Sequence, residues 1–106
     1  MTSCAVTVVN ELGMHARAAA KFVHLATRFS SRIRVSRHGR EMDGKSIMGL
    51  LLLAASQGTS ITISAVGPDE ADAMTALCDL VRRGFDDAAA EPRAAGIDPG
   101  EDTSWS

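Results

Sequence analysis

Gly13-Met14-His15-Ala16-Arg17 sets an imidazole and a guanidinium two residues apart. The stretch lies between an alternating apolar run, Cys4 to Val9, and an amphipathic run beginning near Ala19. A helix starting there presents backbone N–H groups without intrahelical acceptors and the positive end of its dipole. Such an end seats a phosphoryl group well, and an imidazole in the same place can attack and carry that group. Histidine's reference pKa, near ~6.5, leaves much of the ring neutral around neutral pH, and only the neutral ring attacks. Arg17 supplies donors and a fixed positive charge for the anionic product. The residue types therefore point to phosphate handling, with the reactive atom on His15 and Arg17 as its helper.

Ser46 is a second candidate. It precedes a run of helix formers, Leu50 to Ala55, and serine is a strong N-cap. A phosphate at a helix N-terminus is also electrostatically tolerated, so capping and regulatory phosphorylation are compatible roles. Ile47, Met48, Leu51 and Leu52 follow directly. So short a helix cannot bury them all, and an exposed apolar cluster containing methionine suits recognition of more than one partner. His24 and His38 share no metal-ligand spacing with another side chain and read as surface residues.

These groups need elements to hold them. Residues 4–9 alternate as a strand. Ala19, Phe22, Val23 and Ala26 repeat as one buried face of a helix over about 16–28. Ile33 and Val35 mark a second strand, His38-Gly39 a turn, and Arg40 to Asp43 a short return strand. The helix capped by Ser46 is expected to run to a stop at Gln57-Gly58. Ile61, Ile63 and Ala65 mark a fourth strand, and Gly67-Pro68-Asp69-Glu70 leads into a last helix lined by Met74, Leu77, Cys78, Val81 and Phe85. The order βαββαβα with hairpin-type links predicts an α+β fold, a four-stranded antiparallel sheet with three helices on one face. Residues 1–87 are expected to form the domain. Residues 88–106, rich in Ala, Gly, Pro and acid, are expected to be a disordered acidic tail in which Trp105 is isolated.

Composition narrows the classes. The chain is 45% hydrophobic but only 4% aromatic, so the core must be aliphatic, and the net charge of −2 makes no general case for nucleic acid or membrane binding. Between Arg17 and Lys45, however, eight basic residues (17, 21, 28, 32, 34, 37, 40 and 45) face two acidic ones, Glu41 and Asp43. A basic patch beside His15 suits an acidic or phosphorylated protein partner. Cys4 and Cys78 fall on apolar patterns, which predicts buried thiols rather than a disulfide or a metal framework. Met1 to Cys4 lacks the pattern of a signal peptide, and the apolar run Ile47 to Ala55 is too short to span a bilayer. The expectation is a cytoplasmic protein, monomeric, with no metal, cofactor or membrane insertion.

The segments around these positions resemble the histidine-containing phosphocarrier protein (HPr) family of the bacterial phosphotransferase system. The likeness rests on Gly13 to Arg17, Ala19 to Val23, Phe29 to Ile33, Gly44 to Leu50, Gln57-Gly58 and Gly67 to Ala71, and it runs from about Val6 to Phe85. It implies an open-faced β-sandwich. It also implies that Enzyme I passes phosphate from phosphoenolpyruvate to His15 as a pros-phosphohistidine, and that an Enzyme IIA-type acceptor takes it on. Arg17 falls on the family's helper arginine, and Ser46 on the serine modified in part of the family by HPr kinase/phosphorylase. Where the family commonly has proline after the arginine, this chain has Ala18. The change loosens the unfolded chain at a cost of roughly 0.4–1 kcal/mol. Lys45 to Met48 is similar to the sugar branch of the family, and Arg83 to Asp87 to its nitrogen-related branch. The rival reading is a regulatory binding module controlled at Ser46 with little transfer at His15. An enzyme with its own small substrate fits less well, since the chain has no glycine-rich nucleotide loop and no nucleophile–base pair.

Overall fold

Alternation along the strands decides which face of the sheet is buried. The computed structural model describes residues 1–86; Asp87 and the tail expected over 88–106 lie outside the described residues. The elements are β1 (Thr2–Thr7), α1 (Ala16–Ala26), β2 (Arg32–Arg37), β3 (Arg40–Asp43), α2 (Ile47–Leu52), β4 (Ser60–Val66) and α3 (Glu70–Arg82). The strands form one antiparallel sheet in the order β1-β4-β2-β3. The register sets Val6 opposite Ile61, Cys4 and Val35 opposite Ile63, and Ile33 opposite Ala65. These side chains face the helices, and all but Cys4 are buried. Ser3, Thr7, Thr62 and Arg32 point the other way and are exposed, as the period of two requires. Phe22 of α1 and Leu77 and Val81 of α3 close the core over the buried face. The predicted fold class and element order hold. Among the described residues, no helix is long and apolar enough to cross a membrane.

Several boundaries differ from the sequence reading. β1 ends at Thr7 rather than Val9, and α3 ends at Arg82, so Phe85 is buried in the left-handed turn after the helix rather than on its face. β1 begins at Thr2 rather than Cys4, because Thr2 pairs with Ala65 and its hydroxyl donates to Glu70 Oε2 at 2.6 Å. α1 ends at Ala26 rather than near residue 28. There the Thr27 hydroxyl takes the His24 carbonyl at 2.8 Å, and the amides of Arg28 and Phe29 reach back only three residues, a 3₁₀ tightening that closes the helix. α2 stops at Leu52, well before Gln57. Leu53 and Ala55 are both buried, yet on a continuing helix they would lie on nearly opposite faces. The chain buries both by leaving the helix through Ala54, whose φ is +52°.

Acidic side chains lock the start of α3. Asp69 accepts from the amides of Ser30 (2.8 Å) and Ser31 (2.9 Å) and from the Ser31 hydroxyl. The Ser31 hydroxyl above all holds its carboxyl below the usual range. Glu70 accepts from the Thr2 hydroxyl, the Gly67 amide and the N-terminal amine. These donors, Thr2 first, pull its pKa from 4.5 down to about 2.

Two predictions follow from these features. Ala54→Gly relieves a left-handed alanine and should stabilise the fold by about 1 kcal/mol in urea titrations; an unchanged midpoint would deny the strain. Because Glu70 is depressed in the fold, its contribution is complete above pH 4.5 and disappears as pH falls toward about 2. Wild type should therefore exceed Glu70→Gln in stability at neutral pH, and the gap should close across that acid window. A gap that persists at the acid end would contradict the assignment.

Candidate functional site

His15 is the N-cap of α1, with extended backbone (φ −82°, ψ 179°), and its Nδ1 accepts from the Arg17 amide at 3.2 Å. An Nδ1 that accepts carries no proton, so the neutral ring holds its proton on Nε2. The Nδ1 lone pair is thereby aimed at the amides that open α1, which have no intrahelical acceptors. The His15 backbone carbonyl accepts from the Ala19 amide at 2.8 Å, anchoring the cap in the first turn. The ring is half-buried, while Ala16 and Arg17 are exposed.

The loop before His15 fixes where the ring stands. Buried Asn10 donates from Nδ2 to the Gly13 carbonyl at 2.8 Å, and Gly13 returns its amide to the Asn10 carbonyl at 3.1 Å. Met14 is buried and donates its amide to the Ala55 carbonyl at 2.8 Å. Gly13 adopts φ +68° against the segment after α2, where a Cβ would come within 2.6 Å of the Ala55 carbonyl oxygen. The loop from Asn10 to Met14 is thus seated on Ala55 and Ser56. Asn10, Ala54 and Ala55 escaped the sequence reading, because only the fold brings the two loops together. The single local signal was glycine directly before the Met-His pair.

The expected basic patch divides. Arg37 Nη1 donates to the carbonyls of Leu53 (2.7 Å) and Ala54 (3.3 Å) just after α2. Lys21 Nζ donates to those of Phe85 (2.8 Å) and Asp86 (3.2 Å) just after α3. Lys45 Nζ donates to that of Phe29 (2.8 Å) just after α1. Each helix therefore has a cation at its negative end. Arg32 and Arg34 lie on the sheet face turned away from the helices, where Arg34 approaches Glu41 at 3.7 Å. What remains on α1 and its end is Arg17, His24 and Arg28, all exposed, with Lys21 between them but turned to the end of α3.

Ser46 caps α2 as expected, its Oγ accepting from the Gly49 amide at 3.0 Å. In the apolar cluster that follows, Met48 (67% exposed) and Leu52 (53%) lie opposite buried Leu50, and Ile47 is 42% exposed. Ile47 also lines a groove against Ala20, Val23, His24 and Thr27 of α1 and its end, so the cluster is continuous with the helix that His15 caps. Leu51, expected in the exposed patch, is instead half-buried against the core, since its place on the helix flank turns it inward. His24 and His38 are exposed. Cys78 is a buried free thiol, and burial together with the Cys4 thiol beside it pushes its pKa up to about 12. Cys4, expected to be buried, is only half-buried because it borders a cleft at the edge strand β1, where Arg82 Nη2 donates to its sulfur at 3.5 Å. Among the described residues, no group of three His, Cys, Asp or Glu side chains is placed to hold a metal.

The chain is similar in sequence and fold to known proteins. The family model described as "PTS HPr component phosphorylation site" matches residues 2–83. The phosphocarrier protein HPr of Cupriavidus necator is 49% identical over 79 residues, covering 74% of this chain and 89% of that protein. The phosphocarrier protein NPr of Shewanella violacea is 39% identical over 84 residues, covering 79% and 92%. Among solved structures, HPr from Thermoanaerobacter tengcongensis superposes with a TM-score of 0.79 at 41% identity, covering 82% of this chain and 98% of that one.

The seat of the loop can be tested apart from any chemistry. Gly13→Ala should destabilise by about 1–3 kcal/mol, combining a disfavoured φ with overpacking on Ala55. Gly39→Ala has a similar φ (+78°) and open space around its Cβ, so it should show only the smaller backbone share. Equal losses in urea titrations would mean that close approach to Ala55 does not hold the loop.

Proposed function

The chain belongs to the HPr family of the phosphotransferase system, and from that premise we propose that it is a phosphoryl carrier. It takes the group from Enzyme I, charged by phosphoenolpyruvate, on Nδ1 of His15 and passes it to an Enzyme IIA-type acceptor. The observation that carries the reading is the hydrogen bond from the Arg17 amide to Nδ1, which sets an unprotonated nitrogen at the start of α1.

The Nδ1 lone pair attacks the donor's phosphorus; a P–N bond forms as the bond from phosphorus to the donor breaks, and the donor keeps that electron pair. The Arg17 amide, no longer needed at nitrogen, is then within reach of a phosphoryl oxygen. The helix start and the Arg17 guanidinium balance the new charge. The site is a half-open surface, so stabilisation stays moderate and the group can leave. Transfer to the acceptor reverses the same movements and needs no cofactor. The protein acts as a stoichiometric carrier in the cytoplasm, working as a monomer because one chain supplies every residue involved.

Docking falls to the surface around His15. Ile47, Met48 and Leu52, with Leu51 at their flank, offer an apolar contact, and the exposed Arg17 and Arg28 favour an acidic partner. Phosphorylation of Ser46 by an HPr kinase/phosphorylase would place two negative charges at the N-terminus of α2. That position is compatible with the helix and sits beside the apolar cluster, so the effect is weaker docking rather than unfolding.

With Enzyme I and phosphoenolpyruvate, wild type should acquire acid-labile phosphate and His15→Ala none; an unlabelled wild type would overturn the proposal. Arg17→Ala should fold normally and slow transfer by about tenfold or more, about 1.4 kcal/mol of barrier. Ser46→Asp should raise the Enzyme I concentration needed for half-maximal labelling while leaving the saturated rate nearly unchanged. Full activity at the wild-type concentration would remove Ser46 from regulation.

A further inference from the structure

A cleft of about 380 Å³ opens along the edge strand β1 beside α3, with Cys4, Met74, Cys78 and Arg82 in its walls. The phosphoryl chemistry proposed above uses none of these residues. Met74, Cys78 and Arg82 are spaced four apart, so they stack along one face of α3. Cys78 Sγ lies 3.5 Å from Met74 Sδ, and Arg82 Nη2 donates to Cys4 Sγ at 3.5 Å. Cys4 therefore meets this row from β1 across its last turns. Its thiol is a hydrogen-bond partner of the Cys78 thiol, and both cysteines are free.

The two thiols differ in access. Cys4 is half-buried at the edge of the sheet, and Cys78 is 2% exposed. A small oxidant entering the cleft meets Cys4 first. The Arg82 guanidinium at its sulfur balances negative charge there, the setting in which a thiol reacts as a thiolate. Cys78 has the opposite setting. Burial keeps its proton on, which suppresses direct attack by Cys78 on anything that enters.

We propose that Cys4 and Cys78 form a two-thiol site that a hydroperoxide oxidises, Cys4 reacting first and Cys78 closing a disulfide onto it. Cys4 gives up its proton and its sulfur attacks one peroxide oxygen. An S–O bond forms as the O–O bond breaks, and the departing oxygen keeps the electron pair and takes a proton. Sulfur is oxidised to a sulfenic acid and the hydroperoxide is reduced to water or an alcohol. Cys78 sulfur then attacks Cys4 sulfur as it loses its own proton. The S–S bond forms, the S–O bond breaks, and hydroxide leaves with that proton as water.

Contact between the sulfurs makes the second step effectively unimolecular, which offsets the weak nucleophilicity of a protonated thiol. The neutral sulfenic acid also no longer carries the Cys4 charge that opposes ionisation of Cys78. The product ties β1 to α3 through residues 4 and 78. Such a link constrains the unfolded chain and stabilises the fold, and a small dithiol reverses it.

The test uses the reduced full-length protein and hydrogen peroxide. Wild type should lose both free thiols, and its intact mass should fall by two hydrogen atoms with no dimer on a non-reducing gel. The oxidised protein should have a higher urea midpoint, restored to the reduced value by dithiothreitol. Cys78→Ala should stop at a Cys4 sulfenic acid that dimedone traps, while Cys4→Ser should keep its Cys78 thiol. Arg82→Gln should slow loss of the Cys4 thiol by about threefold or more, and Arg82→Lys should recover part of that rate. Thiols that survive peroxide in wild type, disulfide-linked dimers in place of the internal bond, or a bond formed only in urea would each overturn the proposal. So would loss of the Cys78 thiol in Cys4→Ser at the wild-type rate. An unchanged rate in Arg82→Gln would overturn the part given to the guanidinium. None of these results bears on labelling of His15, so the carrier reading stands or falls separately.

Discussion

One hydrogen bond organises the site: the Arg17 amide donating to Nδ1 of His15. It makes the histidine a helix cap, selects the tautomer and points the nucleophilic nitrogen at the amides that would receive a phosphoryl group. A cap residue must leave helical geometry just as the helix begins, so His15 stays extended while Ala16 is already helical. The nitrogen's position is then only as good as the anchoring of the loop before it. That anchoring comes from Asn10, Gly13 and Met14 set against Ala55, a contact between residues about forty positions apart.

Helix α2 serves the site in two ways. Its exposed side offers Ile47, Met48 and Leu52 next to α1, and its abrupt end supplies the Ala55 carbonyl that holds Met14. The left-handed Ala54 and the Arg37 guanidinium that gathers the carbonyls of Leu53 and Ala54 both belong to that ending. Local strain at Ala54 is therefore linked to placement of the reactive ring. Lys21 and Lys45 play the part of Arg37 for the other two helices. Charges that read in sequence as a docking patch thus divide into those that close helices and those left for recognition.

Most of the architecture was legible because its signals are local. Period-two runs gave the strands, the spacing of Ala19, Phe22, Val23 and Ala26 gave α1, and Ser46 marked the start of α2. The element ends were less legible. α2 stops at Leu52 because Leu53 and Ala55 both enter the core, which depends on where the sheet lies. Leu51 and Cys4 were misjudged in burial for the same reason: a helix flank and a sheet edge are defined only once their neighbours are in place.

The sequence by itself determined the chemistry on offer: an imidazole next to a helix start, an arginine two residues on, a capping serine, and an acidic end after a basic middle. Residue type and short-range spacing fix these, and no folding is needed to read them. Tertiary structure decided which nitrogen of His15 is presented, which basic residues are already spent on helix ends, and that the chain leaves α3 turned toward α1. Each of those depends on contacts between residues far apart in the chain. Such contacts are settled by joint burial of the sheet and helices, and no local pattern encodes them.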